Sequence, residues 1–229
     1  MEIDPLNFDL RAFEAQSAIS ALRIYLSKIE AQMEHVYKTD KEAHEKDAPK
    51  GGDEEEHDLH RQISNHIDRV YQDDLIPAMR YSFVVLVHIL FENHLRQFCS
   101  EIKKDRKLTL SLSDISGGPI DRSRTYLSKV ASLPVENFPE WQNMKALQKV
   151  RDCIVHGYGW LNDLKQEKDK DAILEVAKQN TGLAIDSGRV TLEKRFCEWS
   201  LETVDKFFEK LFIAAGWYAV SKEPSGSPL

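Results

Sequence analysis

Apolar residues in this chain recur at steps of three and four over long stretches, a spacing that admits little besides packed amphipathic helices. Between Phe8 and Tyr37 they fall at Phe13, Ile19, Leu22, Tyr25, Leu26, Ile29, Met33 and Val36. The same period runs from about Leu59 to Lys104, with an interruption expected near Pro77, where the backbone lacks an N–H. Short helices are expected over 123–132, 139–156 and 167–180, the second entered through Phe138-Pro139. A last helix, expected to start near Ser200, carries Leu201, Val204, Phe208, Leu211, Phe212, Ala215 and Tyr218 on one face. One stretch breaks the rule. Residues 182–196 alternate apolar and polar around Asp186-Ser187-Gly188, which is a hairpin pattern. The fold class expected is all-α, an antiparallel helical bundle with a small β-hairpin before the last helix.

Composition sets the domain plan. Residues 38–58 hold nine acids against four lysines around Pro49-Lys50-Gly51-Gly52, with almost nothing to bury, and predict a mobile loop. The plan is therefore an N-terminal helix (1–37), an acidic flexible loop (38–58), a helical domain (59–220) and a disordered tail (221–229). Segment 106–122 also reads as loop. With 229 residues and 41% hydrophobic side chains, the chain can build a core without disulfides. Cys99, Cys153 and Cys197 are odd in number and lie in apolar surroundings, so buried free thiols in a reducing compartment are expected. The sequence MEIDPLNFDLR has neither a basic nor an apolar leader region, and the longest apolar run, Phe83–Phe91, is short of a bilayer span. A cytoplasmic protein with no membrane partner is the expectation. Net charge −7 makes a non-specific polyanion coat improbable, though it leaves room for a nucleic acid held as substrate.

No Gly-rich phosphate loop, CxxC pair, HExxH or GxSxG occurs, which sets aside P-loop NTPases, zinc ribbons, zincins and α/β-hydrolases. Of eight histidines, His35, His44, His57, His60 and His66 lie in or beside the acidic stretch. His57 and His60 could be drawn as a metal site, but a mobile loop does not preorganise ligands, and no metal or cofactor is expected. His88 and His94 sit in the most apolar helix and read as core histidines rather than ligands.

The segment Trp141 to Gly157 is different. Its apolar seam is Trp141, Met144, Leu147, Val150 and Ile154, and helical spacing sets Arg151 on that same seam. A guanidinium there must be paired, or must face a cavity or a partner. A second row, Lys145, Lys149, Asp152 and His156, steps by four, three and four along a polar face, where Asp152 can reach the His156 ring and fix its tautomer. A surface ion pair for Arg151 and an ordinary helix-end histidine satisfy the same spacing.

Arg151-Asp152-Cys153-Ile154-Val155-His156 resembles the R-polar-x3-H signature of HEPN domains, the α-helical nucleotide-binding and ribonuclease superfamily. In that family the motif ends a helix, as it would here. The preceding long helix resembles Ser82 to Ile102, and residues 182–220 look like the C-terminal elements of several HEPN subfamilies. The likeness covers mainly residues 75–220. It departs at the second position, often Asn in active members and Asp152 here. The resemblance implies a HEPN-like bundle and a metal-independent endoribonuclease, active as a homodimer. His156 would move protons for attack of the ribose 2′-OH on the adjacent phosphate, leaving a 2′,3′-cyclic phosphate. Arg151 would stabilise the pentacoordinate transition state, and Asp152 would orient His156.

An RNA path needs positive charge. Residues 94–130 carry eight basic side chains against four acids, so Arg96 and Lys103, with Lys145 and Lys149, are the substrate-binding candidates. A solvated helix end and loop account for the same charges. The expected partners are RNA, a second copy of the chain and a regulatory protein such as an antitoxin, as suits a toxin or defence effector. The alternative is a catalytically inactive HEPN module that dimerises and binds a nucleotide or partner protein.

Overall fold

The computed structural model describes residues 9–217. It is predominantly helical, with one two-stranded antiparallel hairpin before the last helix. The elements are α1 (Leu10–Lys46), α2 (Glu54–Arg69), α3 (Ile76–Asp105), α4 (Pro119–Thr125), α5 (Glu140–Gly157), α6 (Glu167–Lys178), β1 (Leu183–Asp186), β2 (Arg189–Leu192) and α7 (Lys194–Ala215). Tyr218 and the tail 221–229, and the expectations made for them, lie outside the described residues.

The chain divides into two compact units assembled from separated segments, rather than into a sequential helix, loop and domain. Among the described residues the first comprises 9–22, 86–149 and 199–217. Its core is aromatic. Phe91 meets Phe207 and Phe208 at 5.3 and 5.6 Å between ring centroids, and Phe98 meets Trp217 at 4.6 Å. Arg11 joins Asp105 at 2.7 Å and lies 3.7 Å from the centroid of the Trp217 ring, a cation–π contact. His88 is fully buried here with Nδ1 3.7 Å from Glu92, and the His94 ring stands edge-on to Phe208; burial pushes the His94 pKa down.

The second unit comprises residues 23–85 and 150–198, and it corrects the acidic loop. α1 runs on to Lys46 and α2 starts at Glu54, leaving only 47–53 as a turn. Glu, Lys, Ala and His are adequate helix formers, and their charges are answered by side chains rather than left in solvent. Lys38 bonds Glu34 at 2.6 Å along α1. Across to α2, Lys41 reaches Asp68 at 2.6 Å and Ser64 Oγ at 2.9 Å and Tyr37 donates to Asp68 at 2.7 Å, while Tyr71, just past the end of α2, donates to Asp40. The His44 and His60 rings stack at 3.9 Å, and each Nε2 bonds the other residue's carbonyl oxygen. α2 buries no residue. A polar lock, not a core, holds this helical pair.

Between α2 and α3 the helix widens into a π-turn over Val70–Leu75, where Ile76 N–H bonds Tyr71 C=O. The change from i−4 to i−5 bonding makes room for Pro77, so the helix continues where an interruption was expected. Glu54–Asp105 contains an 18-residue stretch of mean hydropathy 1.5, long and apolar enough to cross a membrane by length and composition, with 33% of it buried. Counting only the unbroken run Phe83–Phe91 understated that character. α7 starts six residues before Ser200. Its Phe196 and Cys197 are fully buried, and their neighbourhood had mimicked strand alternation. All three cysteines are buried and free, with burial pushing the thiols of Cys99 and Cys197 up to about 12 and that of Cys153 to about 11.

Candidate functional site

α5 follows its sequence pattern closely. Trp141, Met144, Leu147, Val150 and Ile154 are all buried, so the helix has one fixed rotation and its polar rows have fixed directions. Glu140 starts it with a two-pronged ion pair to Lys210, at 2.6 and 2.7 Å.

The end of α5 is closed by several bonds at once. Tyr158 takes a left-handed φ of 48°, and its N–H bonds Ile154 C=O at 3.0 Å. Gly159 follows at φ 88°, its N–H bonding Cys153 C=O at 3.1 Å. The first is the five-to-one bond of a left-handed helix cap, and the second closes a wider turn over it. The chain leaving the cap pairs with the hairpin: Val190 N–H bonds Gly159 C=O at 2.9 Å, and Leu161 N–H bonds Gly188 C=O at 3.0 Å. Tyr81 clamps the join by donating its hydroxyl proton to Val190 C=O. Burial raises the Tyr81 pKa, which keeps that proton in place. Only glycine fits at 159. A Cβ there would run into the Tyr81 hydroxyl and approach its Cζ to 3.0 Å.

On this platform Arg151 lies at the edge of the apolar seam, with 22% of its side chain exposed. Its Nη1 bonds Asp152 Oδ1 at 2.7 Å. The pairing demanded by its position on the seam is thus made, but it uses the carboxylate that spacing assigned to His156. Asp152 is held to Arg151, and among the described residues no hydrogen bond joins it to the His156 ring. His156 is exposed in the last turn. A side chain as long as arginine can fold back on its neighbour, which helical spacing alone does not reveal.

The four substrate-binding candidates belong to the first unit. Lys145 lies 3.6 Å from Asp121, and Lys149 is half-buried one turn further along α5. On α3, Arg96 donates to Asn93 and Lys103 donates to Ser111. Arg96 also lines a cleft with Leu112, Ile120 and Arg122. Several of the cations of 94–130 are likewise engaged locally, Arg106 with Ala131 C=O and Arg122 with Gly117 C=O. Among the described residues no group of three or more His, Cys, Asp or Glu side chains could hold a metal ion.

Sequence reasoning passed over Tyr158, Trp160 and Arg189. The rings are exposed at 56% and 44%, and the Arg189 guanidinium lies 4.6 Å from the Tyr158 centroid and 6.0 Å from that of Trp160. The signal was present in Gly157-Tyr158-Gly159-Trp160, two large aromatics between glycines directly after the motif. Arg189, thirty residues on, could only be found through the fold.

Compared with known proteins, the chain matches no protein-family model, no curated protein and no solved structure.

Proposed function

We propose that this chain is a HEPN-type endoribonuclease that cleaves RNA through its own 2′-hydroxyl, leaving a 2′,3′-cyclic phosphate. The observation that carries the reading is the end of α5, where a charge-paired arginine and an exposed histidine share the last two turns of a helix whose terminus is fixed by its cap and by β2. His156 takes the proton from the 2′-hydroxyl and returns one to the leaving 5′-oxygen. Arg151 stabilises the charge that gathers on the pentacoordinate phosphorus. Asp152 serves Arg151 rather than His156, setting the guanidinium for that task.

Positions five apart on a helix diverge by about 140°. The regular bonding from Tyr158 back to Ile154 supports keeping His156 at its ideal direction, since the last turn is not loosened. A single copy therefore aims Arg151 and His156 apart, and a homodimer with two α5 ends at its twofold axis supplies the composite site. Lys149 and Lys145, one and two turns up the polar row of α5 from Asp152, would draw the strand's phosphates. A chain that cuts RNA in the cytoplasm requires restraint, so a regulatory protein such as an antitoxin is part of the proposal. The test is total RNA in EDTA with wild type, Arg151→Ala and His156→Ala. Cleavage by wild type alone is expected, and equal cleavage by His156→Ala would remove the mechanism.

One observation favours a second reading. With Asp152 engaged by Arg151, no carboxylate among the described residues bonds His156 to orient it, as suits a non-catalytic HEPN module that dimerises and binds a nucleotide or partner protein. Absence of cleavage, together with nucleotide binding lost in Arg151→Ala, would select it.

A further inference from the structure

We propose that Tyr158, Trp160 and Arg189 form a stacking platform for an unpaired nucleobase beside His156, an inference that rests on the RNA-directed reading of that site. Exposed large aromatics are ordinary when scattered. Here two of them follow the helix end within three residues, and Val155 adds a third exposed apolar side chain at 51%.

The backbone that carries both rings is held in place. Tyr158 is thrown outward by its left-handed backbone and braced edge-on by Tyr81 at 5.7 Å. Trp160 is bridged to Arg189 through the backbone, and Arg189 Nε donates to Tyr158 C=O at 3.1 Å. Both rings thus carry a cation nearby while keeping open surface.

A platform of this kind suits one occupant. A base presents a flat face that stacks on an aromatic ring whatever its identity, and its phosphate is drawn to the guanidinium. Duplex bases hide those faces, so the strand must be single. The cation of the platform is Arg189, whose guanidinium lies against the Tyr158 ring, with Asp186 opposite it on the neighbouring strand. The occupant is an unpaired nucleotide flanking the bond to be cut, and the platform sets where the strand lies relative to His156.

The experiment uses a short single-stranded DNA, which lacks the 2′-hydroxyl and reports binding without turnover. Its affinity for the full chain is measured by fluorescence anisotropy, beside an abasic strand of equal length. Each of Trp160→Ala and Tyr158→Ala should weaken binding by roughly tenfold, while Trp160→Phe and Tyr158→Phe retain most of it. The abasic strand should bind wild type as weakly as the normal strand binds Trp160→Ala. Because both side chains are exposed, melting temperatures should stay near wild type, so weak binding by a folded variant counts. Equal binding of normal and abasic strands, no binding by wild type, or unchanged affinity in Trp160→Ala overturns the platform. So does a Trp160→Ala variant whose only change, by sedimentation, is loss of self-association. Failure here with RNA cleavage intact would leave the ribonuclease reading standing; base-dependent binding with no RNA cleavage would remove that reading alone.

Discussion

Replacing Gly159 by alanine probes the joint on which the site depends. Two penalties add. A left-handed backbone costs an L-residue about 1 kcal/mol. The new methyl also needs the space of the Tyr81 hydroxyl, which must swing away and abandon its bond to Val190 C=O, at about 2 kcal/mol for a buried pair. The sum, about 3 kcal/mol, corresponds to a fall of roughly 10 °C in melting temperature for a chain of this size. Gly188 is the internal control, with φ 86° and no atom within 4 Å of an added Cβ, so Gly188→Ala should carry only the backbone cost of about 1 kcal/mol. In a Tyr81→Phe background the obstructing oxygen is gone, and Gly159→Ala should then cost only the backbone share of about 1 kcal/mol, a clear departure from additivity. Urea unfolding of the four single and double variants measures all of this. If Gly159→Ala costs no more than Gly188→Ala, the tight approach of Tyr81 is not what fixes the turn, and the rigid helix end loses its support.

Three further outcomes follow from the same contacts. The stacked His44 and His60 rings each bond the other residue's main-chain carbonyl, so either alanine variant should cost about 1 kcal/mol and the double variant less than the sum, since the stack is lost only once; strict additivity in urea would deny the stack. Replacing residues 48–52 by a shorter turn should leave melting nearly unchanged, whereas deleting 38–58 removes Asp40 and Lys41 from their α2 partners and should cost about 2 kcal/mol or more; equal effects would restore the mobile-loop expectation. Burial pushes the Glu140 carboxyl up, but the Lys210 ammonium and a backbone hydrogen bond overcome this and hold it below the usual range. Its stabilisation is thus full above the unfolded carboxyl value of about 4.3 and is lost as pH falls through the lower folded value. Glu140→Gln should destabilise by about 1 kcal/mol at pH 7, with the difference from wild type vanishing in stronger acid.

What the sequence revealed depended on the range of the interactions. The α5 seam was legible because its spacing alone sets which side is buried, and Trp141 through Ile154 all obey it. The hairpin was legible because Ser187 and Gly188 carry the left-handed backbone that a two-residue turn needs. Residues 38–46 were misread because acidic composition was weighed without knowing that α2 would supply Ser64 and Asp68, and the π-turn after it Tyr71, as partners. The start of α7 was misread for a local reason: Phe196 and Cys197 are neighbours, and both are buried in a helix that is apolar over a wide arc. At the site, spacing located Arg151 and His156 but not the direction of Asp152, which turns on a side-chain rotamer. The clasp between Gly159 and Val190 joins distant parts of the chain and leaves no periodic trace.

The 2′-hydroxyl is the nucleophile on which the proposed chemistry rests, and one substrate tests it directly. An RNA oligonucleotide cut at a mapped bond is resynthesised with a single 2′-deoxy residue on the 5′ side of that bond. The account predicts that cleavage stops there and nowhere else, and that the all-RNA strand yields a 2′,3′-cyclic phosphate whose formation vanishes in His156→Ala. Continued cutting at the deoxy position, with a free 3′-hydroxyl, would contradict it.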